Sequence, residues 1–493
     1  MDGPLRGGYV AAMRVGRLVS GADRLVGGLL VDVSTSRAAA FVALAVLGLG
    51  CTPEAGEPGG GPPGPNVLLI SIDTIRADHL STYGYERETS PSLTALAEAG
   101  TRVRAAYAPS ATTGPSHASL FTALPPIAHG VRKNGHSLAD TELTLAERLS
   151  QIGYRTGAVV SSYVLSGRFG YAQGFDHFDD DFSQAGTPLG TTLWEGEAIE
   201  ERFYGRADDT TDRALSWLAG RGREGRPFFL FVHYYDPHDP YIPPADFPPP
   251  FPVSQKEALK LNRTIYLYDV LVAYTDREIG RLLEGLDAAG LGDDTLVIVT
   301  GDHGEGLMTH GHMFHGVHVY EEAVRVPLVV RWPGRIAAGV EVPGPFALVD
   351  LAPAVLELLG DAHAGGLGRP GAASRLLGGE GAAASAAPIH LYRRHYSGEE
   401  EVGDGLEARG EKYGVRAGSW KLIEGPAEGT LELFDLASDP AERVNLAASE
   451  PERVAELRAL IAAWRDRYER AGAQAPELSE GDRERLRAMG YVE

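Results

Sequence analysis

Cysteine is almost absent from this 493-residue chain, in which Cys51 is the only one. An intramolecular disulfide and a cysteine-ligated metal site are therefore both excluded. Basic residues are also in deficit, because 45 lysines and arginines face 67 acidic side chains and give a formal net charge of −22. This charge argues against a nucleic-acid partner, since phosphate backbones attract clustered basic residues. It does not argue against a small anionic substrate, since a bound cation can reverse the field inside one pocket.

The apolar run at residues 38–50 is too short to cross a bilayer as a mature helix. Arg37 precedes this run and small residues lead into Cys51, so the segment resembles a bacterial lipoprotein signal in which the cysteine becomes lipidated. A plain secretory signal cleaved nearby and a buried helix are the alternatives. We expect an exported, periplasmic or cell-envelope protein that touches a membrane only through a lipid anchor at Cys51.

Composition divides the chain into segments. Residues 52–65 are almost entirely Pro, Gly and acidic, which cannot form a core and is typical of a tether. A Gly/Ala-rich stretch around 364–387 marks a second boundary. We therefore predict a signal or lipoprotein segment at 1–51, a linker at 52–65, a catalytic domain at 66–385, a C-terminal subdomain at 386–475 and a tail helix at 476–493.

Four continuous apolar runs, bounded by turn residues, predict buried parallel strands at 66–73, 227–232, 295–299 and 326–330. Helical patterns, such as 143–152 and 268–289, alternate with them. This order predicts an α/β fold with a large, mainly parallel sheet sandwiched by helices, followed by a smaller C-terminal α+β subdomain. Ligands bind such sheets beyond the carboxyl ends of the strands, where Asp73, residues 233–239 and the pair Asp302 and His303 follow three of the runs.

A cation site and a nucleophile are both conceivable at these strand ends. Asp302 and His303 are adjacent, so their oxygen and nitrogen atoms can reach one cation. Pro115 suits the first turn of a helix, which would place the Thr113 hydroxyl at a helix N-terminus that favours anions. A hydroxyl bound to a divalent cation can attack phosphorus or sulfur. Asp73 and Thr113 could equally be plain helix caps.

Five segments, taken together, resemble the successive signatures of the sulfatase family. They lie in the family's order between about residues 66 and 475. They read NVLLISIDTIRADHL, TTGPSHASLFT, FVHYYDPHDPY, GDHGEG…HGHMFHG…YEEAVRVPLVVRWPG and VRAGSWKLI…LELFDLASDPAERVNLA. The family belongs with alkaline phosphatases and phosphoglycerol transferases, so the resemblance implies that fold, ester hydrolysis and one divalent metal ion.

The resemblance also implies roles for individual residues. It assigns the metal ion, which could be Mn, Zn, Ca or Mg, to Asp73, Thr113, Asp302 and His303. His238 and His315 would contact the charged oxygens of the substrate, and His315 is our first choice as proton donor to the leaving alcohol. His117 and His310 would bind substrate in the same pocket, whereas His233, His312 and His318 could be structural neighbours.

Thr113 departs from the family pattern, because a formylglycine sulfatase needs Cys or Ser there and a hydrated aldehyde cannot be made from threonine. We predict no formylglycine. Thr74, His117, Ser161 and Tyr163 replace charged residues of the expected sulfate site, which favours phosphate or phosphonate esters over sulfate esters. The substrate would be a small anionic ester or a glycan or lipid. A phosphotransferase acting on a cell-envelope glycan or lipid, and a non-catalytic lipid-anchored binding protein, are the other hypotheses.

Overall fold

The computed structural model describes residues 64–182, 192–194, 197–199, 204–220, 226–252, 260–361, 371–377, 387–402 and 406–469. All of them belong to one compact unit. The predicted signal at 1–51, nearly all of the linker and the tail helix at 476–493 lie outside these residues. No helix among the described residues combines the length and the apolar character that crossing a membrane requires.

Fifteen strands and ten α-helices are assigned in these ranges. The strands are β1 (Asn66–Ile72), β2 (Thr101–Tyr107), β3 (Arg155–Val159), β4 (His177–Asp179), β5 (Thr192–Trp194), β6 (Glu197–Ile199), β7 (Phe228–Tyr234), β8 (Thr295–Gly301), β9 (Arg325–Val326), β10 (Leu328–Arg331), β11 (Val340–Ala347), β12 (Ile389–Val402), β13 (Leu406–Ala417), β14 (Trp420–Gly425) and β15 (Thr430–Asp435). The helices are α1 (Pro91–Glu98), α2 (Thr113–Thr122), α3 (Pro126–His129), α4 (Leu145–Gln151), α5 (Ala207–Gly220), α6 (Lys260–Ala288), α7 (Glu321–Val324), α8 (Leu351–Leu358), α9 (Ala372–Leu376) and α10 (Pro451–Tyr468).

The large sheet has nine strands in the order β11-β2-β10-β8-β1-β7-β3-β4, with β9 paired to β2. β1 runs parallel to both of its neighbours, β7 and β8, and β3 runs parallel to β7 and β4. β5 and β6 form a separate two-stranded ribbon. The sequence prediction of a mainly parallel sheet is confirmed.

The run at 326–330 was wrongly predicted as one parallel strand. Pro327 separates β9 from β10, because proline has no N–H to donate to the ladder. β10 is antiparallel to both β8 and β2, and β9 is antiparallel to β2. The carboxyl end of β10 therefore points away from the edge where β1, β7 and β8 end, which explains why no polar cluster follows this run.

β1 is buried on both faces, which is why its sequence is a continuous apolar run rather than an alternating one. Val67 and Leu69 pack into a core with residues of α2 and α8. Leu68 and Ile70 face the opposite core, which includes residues of α5 and α6. Helices thus cover both faces of the sheet, and the chemistry is confined to its edges.

The C-terminal part is a separate antiparallel sheet in the order β12-β13-β14-β15, with α10 packed against it. The predicted strands at 389–392 and 413–423 and the predicted helix at 454–468 all lie within these elements. Phe434 packs with Tyr107 of β2 in one core cluster. The fully buried Lys421 joins the two sheets, since its Nζ lies 3.0 Å from Glu321 Oε1 and 2.9 Å from Glu442 Oε1.

Candidate active site

The carboxyl ends of β1, β7 and β8 meet because the three strands are hydrogen-bonded neighbours. The N–H of Asp73 donates to the carbonyl of Tyr234 (2.9 Å), and the N–H of Asp302 donates to the carbonyl of Ile72 (3.3 Å). Asp73 and Asp302 are consequently the first residues beyond adjacent strands. The sheet therefore brings two carboxylates together although 229 positions separate them in the chain.

His303 Nε2 lies at the centre of the predicted metal-binding group. It is 3.6 Å from Asp73 Oδ1, 3.5 Å from Asp302 Oδ2 and 3.2 Å from Thr113 Oγ1. All four side chains are buried. Ligand atoms that share one cation at about 2.1 Å lie roughly 3–3.5 Å apart, so these separations suit a common ion. Asp73, Asp302 and His303 also form one of the two groups of potential ligands in the described ranges.

Hydrogen bonds leave the relevant atoms available to a cation. His303 Nδ1 donates to the carbonyl of Gly304 (2.9 Å), which fixes the tautomer and leaves the lone pair on Nε2. Asp302 Oδ1 accepts the N–H of His303 (2.7 Å), whereas Asp302 Oδ2 and both carboxylate oxygens of Asp73 accept no hydrogen bond from the described residues. These three oxygens are buried acceptors without donors, which is costly unless a cation neutralises them.

The raised pKa values of the two aspartates also indicate that this site suits a cation. Burial raises the pKa of Asp302 to about 8. Burial, and next the negative charges of Asp302 and Glu305, raise the pKa of Asp73 well above its ordinary value. Two buried carboxylates that repel each other are stabilised by a divalent cation between them. The donor set of two carboxylates, one imidazole and one hydroxyl therefore fits the metal ion expected from the sequence.

His238, His315 and the carboxylate of Glu305 lie beside the predicted metal-binding group. The His315 ring lies 4.6 Å from the His303 ring and 5.0 Å from the His238 ring. His315 Nδ1 lies 3.5 Å from the Glu305 carboxylate, which is held by the N–H of Gly306 and the hydroxyl of Tyr241. Burial lowers the pKa of His315, but the carboxylates led by Glu305 outweigh it and raise the pKa above its usual value.

Comparison with protein families identifies the chain. The family model described as Sulfatase matches residues 65–361, which is more than half of the chain. The chain belongs to the sulfatase family. A second model, described as N-sulphoglucosamine sulphohydrolase, C-terminal, matches residues 309–465. The protein is thus an ester hydrolase by family, and the five sequence signatures were identified correctly.

Individual relatives of this sulfatase-family chain are distant. The N-acetylglucosamine-6-O-sulfatase of Bacteroides thetaiotaomicron is 24% identical over 477 residues, which cover 78% of this chain and 82% of the relative. A solved sulfatase-like structure in complex with its substrate D-glucosamine-2-N,6-O-disulfate has a TM-score of 0.63 at 23% identity and covers 82% of this chain and 98% of that one. The phosphonate monoester hydrolase of Agrobacterium radiobacter has a TM-score of 0.64 at 24% identity, with 85% and 99% covered. These likenesses show the fold.

Thr113 is the first residue of α2, and Thr112 precedes it in an extended conformation. The amides at this helix N-terminus are less available to an anion than the sequence suggested. The N–H of Gly114 already donates to Asn134 Oδ1 (2.7 Å), Pro115 has no N–H, and the N–H of Ser116 donates to the Thr112 carbonyl within the helix. Anionic oxygens beside Thr113 must therefore be stabilised mainly by a cation and by histidines.

His117 lies directly below Thr113, one helical turn along α2. Its Nδ1 donates to the carbonyl of Thr113 (2.8 Å), and its Nε2 is 2.9 Å from Ser71 Oγ. The side chain is fully buried. The sequence assigned His117 to substrate binding, whereas the structure commits both of its ring nitrogens to hydrogen bonds beneath Thr113. A role in supporting Thr113 is the simpler interpretation of this geometry.

His310 is not brought to the cluster. Its Nδ1 lies 2.7 Å from Glu322 Oε1, its Nε2 lies 3.3 Å from the carbonyl of Glu442, and its ring stacks on Tyr320 at 4.1 Å. These partners belong to the junction between the large and the small sheet, where Glu442 also pairs with Lys421. The structure therefore gives His310 a place in that junction rather than beside Thr113.

Two features of the site could not be read from the sequence. Thr74 adopts a left-handed backbone conformation (φ 51°), which is strained for a β-branched residue. The hydroxyl of Tyr268 holds it in place by donating to the Thr74 carbonyl (2.8 Å) and accepting the N–H of Arg76 (2.9 Å). His233, which follows Val232 on β7, has its ring 5.0 Å from the His117 ring and accepts or donates no hydrogen bond among the described residues.

Proposed function

We propose that this sulfatase-family protein is a metal-dependent hydrolase that uses Thr113 as its nucleophile and works without formylglycine. The main support is the position of Thr113: its Oγ1 lies 3.2 Å from Nε2 of His303, which forms a group of potential metal ligands with Asp73 and Asp302. Oxidation of a threonine side chain yields a ketone, so the aldehyde used by formylglycine sulfatases cannot arise from this residue. A divalent cation held by Asp73, Asp302, His303 and Thr113 would lower the pKa of the hydroxyl and polarise an ester oxygen.

The chain's own groups suggest the course of the reaction. Thr113 first loses its hydroxyl proton to bulk water, which a bound cation would favour. Its Oγ1 then forms a bond to phosphorus as the bond from phosphorus to the leaving alcohol breaks. His315 gives its proton to the leaving oxygen, since the Glu305 carboxylate outweighs the effect of burial, raises the pKa of His315 and so favours the protonated ring. Water then attacks the phosphorus of the phosphothreonine and gives one proton back to His315. The bond from phosphorus to Thr113 Oγ1 breaks, which releases the phosphate product and returns Thr113 to its ionised form.

His238 is less suited to stabilise an anionic oxygen than the sequence suggested. Its Nδ1 donates to the carbonyl of Asp239 (2.6 Å), so the other ring nitrogen carries a lone pair. Burial, and next the charge of the nearby His315, lower the pKa of His238 to about 3. We therefore assign the positive charge to His315 and regard His238 as a residue that packs against it and orients it.

Phosphate or phosphonate esters are our preferred substrates. A phosphothreonine can be hydrolysed by in-line attack of water, whereas a threonine sulfate lacks the elimination route that an aldehyde hydrate provides. Sulfate esters are the second candidate, and a specific observation favours them: a curated relative that covers 78% of this chain is named N-acetylglucosamine-6-O-sulfatase. Phosphotransfer to a glycan or lipid and non-catalytic binding receive no support from these relatives, which are named as hydrolases.

The test compares four aryl esters on the metal-loaded protein: a sulfate, a phosphate monoester, a phosphate diester and a phosphonate. Thr113→Ala should abolish turnover of whichever ester is the substrate, and Thr113→Ser should retain part of it. Thr112→Ala is the matched control, because its side chain makes no capping hydrogen bond to α2. Mass spectrometry of the acid-quenched enzyme should find the phosphoryl group on Thr113. Full activity of Thr113→Ala would refute the nucleophile, and sulfate-only turnover would refute the preferred substrate class.

Export is a separate proposal, which rests on the segment around Arg37 and Cys51 and lies outside the described residues. Cell fractionation with metabolic palmitate labelling tests it. A Cys51→Ala variant that stays membrane-bound would contradict the anchor.

A further inference from the structure

Below Thr113, on the α2 side of the sheet, lies a second group of potential metal ligands formed by His117, His233 and Asp302. One ligand atom from each lies within 4.8 Å of the others, and all three side chains are buried. His117 Nδ1 is 3.6 Å from Asp302 Oδ2. Asp302 also belongs to the group at Thr113, so the two groups share this carboxylate.

His233 provides the observation that points to a ligand. Its side chain is fully buried, yet neither Nδ1 nor Nε2 has a hydrogen-bond partner among the described residues. Leaving a buried polar group unpaired costs about 1–3 kcal/mol. The closest carboxylate oxygen, Asp73 Oδ2, is 3.6 Å from Nε2, which is too long for a hydrogen bond.

Backbone pairing explains why these donors converge. Ser71 of β1 lies opposite His233 of β7 in the parallel ladder. Alternation along β1 puts Ser71 on the same face as Asp73, and His117 of α2 covers that face. The Ser71 hydroxyl can donate or accept. His117 can therefore turn either ring nitrogen to an ion and keep a hydrogen bond with the other, to the Thr113 carbonyl or to Ser71.

We infer that His117, His233 and Asp302 form a second divalent-cation site, of the zinc class, which shares Asp302 with the cation site at Thr113. Two imidazoles and a carboxylate suit zinc, whereas the oxygen-rich group at Thr113 also accepts Mg²⁺ or Mn²⁺. A bridging carboxylate holds two ions about 3.5–4 Å apart, so the second ion would lie under the nucleophile.

The test measures metal stoichiometry and needs no substrate. The full-length protein is stripped with a chelator and titrated with Zn²⁺ by calorimetry, and bound metal is counted by mass spectrometry. We expect two equivalents for the natural protein and one for His233→Phe, which keeps an aromatic ring but has no ligand atom. His129→Gln is the matched control and should keep two equivalents, since His129 is another buried histidine whose two nitrogens are already bonded to Ser119 and the N–H of Val131.

Further variants of the same experiment distinguish a failure of the second metal site from a failure of the proposed function. Asp73→Asn should lose the equivalent at Thr113 and keep the one at His233. One equivalent in both the natural protein and His233→Phe would refute the second site and leave the proposed function intact, whereas no bound metal in any variant would refute both. If His233→Phe misfolds by circular dichroism, a Co²⁺ titration of the natural protein decides: visible absorption that stops growing after one equivalent would refute the site.

Discussion

Replacing Asp302 with Asn should stabilise the metal-free protein and destabilise the metal-loaded one. Burial raises the pKa of Asp302 from 3.8 to about 8. Keeping this carboxyl protonated at pH 7, about three pH units above its ordinary pKa, costs about 4 kcal/mol at roughly 1.4 kcal/mol per unit. Asparagine is neutral and can still accept the N–H of His303 through Oδ1. We expect the free energy of unfolding of the metal-free variant to rise by about 2–4 kcal/mol.

The pH dependence of the free energy of unfolding provides a second test of this prediction. The unfolded chain releases the Asp302 proton above pH 3.8, whereas the metal-free native protein holds it up to about pH 8. The native state therefore binds more protons in this window, and stability falls as the pH rises through it. Asp302→Asn should reduce this slope in denaturant titrations between pH 5 and pH 8 by the part that Asp302 contributes, whereas Asp73, whose pKa burial also raises, keeps a part of its own.

Saturating metal should reverse the order of stabilities. A ligand at one thousand times its dissociation constant stabilises the native state by about 4.1 kcal/mol, which exceeds the rise expected for the metal-free variant. The variant that lost the shared carboxylate gains little of this stabilisation. Asp350→Asn is the control, because Asp350 is also buried but its Oδ2 pairs with Arg375 at 2.9 Å. Breaking that pair should cost about 3–5 kcal/mol. A metal-free Asp302→Asn protein that is less stable than the natural one would refute the interpretation of Asp302 as a carboxylate arranged for a cation.

Three further substitutions test individual contacts. His315→Gln should reduce turnover of alkyl esters at least about 100-fold more than that of nitrophenyl esters, which need no proton on the leaving group; equal losses would contradict the proton donor. Lys421→Met leaves the buried Glu442 and the partly buried Glu321 without their shared cation, so the free energy of unfolding should drop by about 3–5 kcal/mol, and an unchanged denaturation midpoint would disprove this. His310→Gln should leave KM within about twofold, whereas a tenfold rise in KM would return His310 to the substrate pocket.

The metal-binding group could be predicted because its signals are local. A continuous apolar run that ends in Asp73, and another that ends before Asp302, mark two buried strands and their carboxyl ends. Rules for parallel sheets then place both residues at one edge. The direct pairing of β1 with β8 is not local, because more than two hundred residues separate the strands, and only the assembled sheet shows it.

The histidines could not be sorted by sequence, because several of them crowd two short segments. His233 and His238 are five residues apart, yet His233 faces the α2 side of β7 and His238 lies beyond the strand end. His310 and His315 are also five apart, but the turns between them send His310 to the small sheet and His315 to His303. The spacing of histidines along a loop does not determine where their side chains point, whereas strand pairing determines which face of the sheet a side chain occupies.

Counting charges links the second cation to the choice of substrate. Asp73 and Asp302 contribute two negative charges, an ionised Thr113 adds a third, and the paired Glu305 and protonated His315 cancel each other. A monoanionic ester, such as a sulfate monoester, a phosphate diester or a phosphonate monoester, adds a fourth. Two divalent cations balance these four charges, whereas one cation leaves half of them uncompensated in a buried site.

This balance predicts how His233→Phe changes activity. With the second cation lost, kcat/KM should fall for every ester, and it should fall about tenfold or more further for the dianionic phosphate monoester than for the monoanionic diester, because the uncompensated charge is larger by one. The two rates are compared at one pH and one metal concentration, with His129→Gln as the variant expected to leave their ratio unchanged. An unchanged ratio in His233→Phe, in a protein shown to have lost one metal equivalent, would mean that the second cation supports the fold beneath Thr113 without sensing the charge of the substrate.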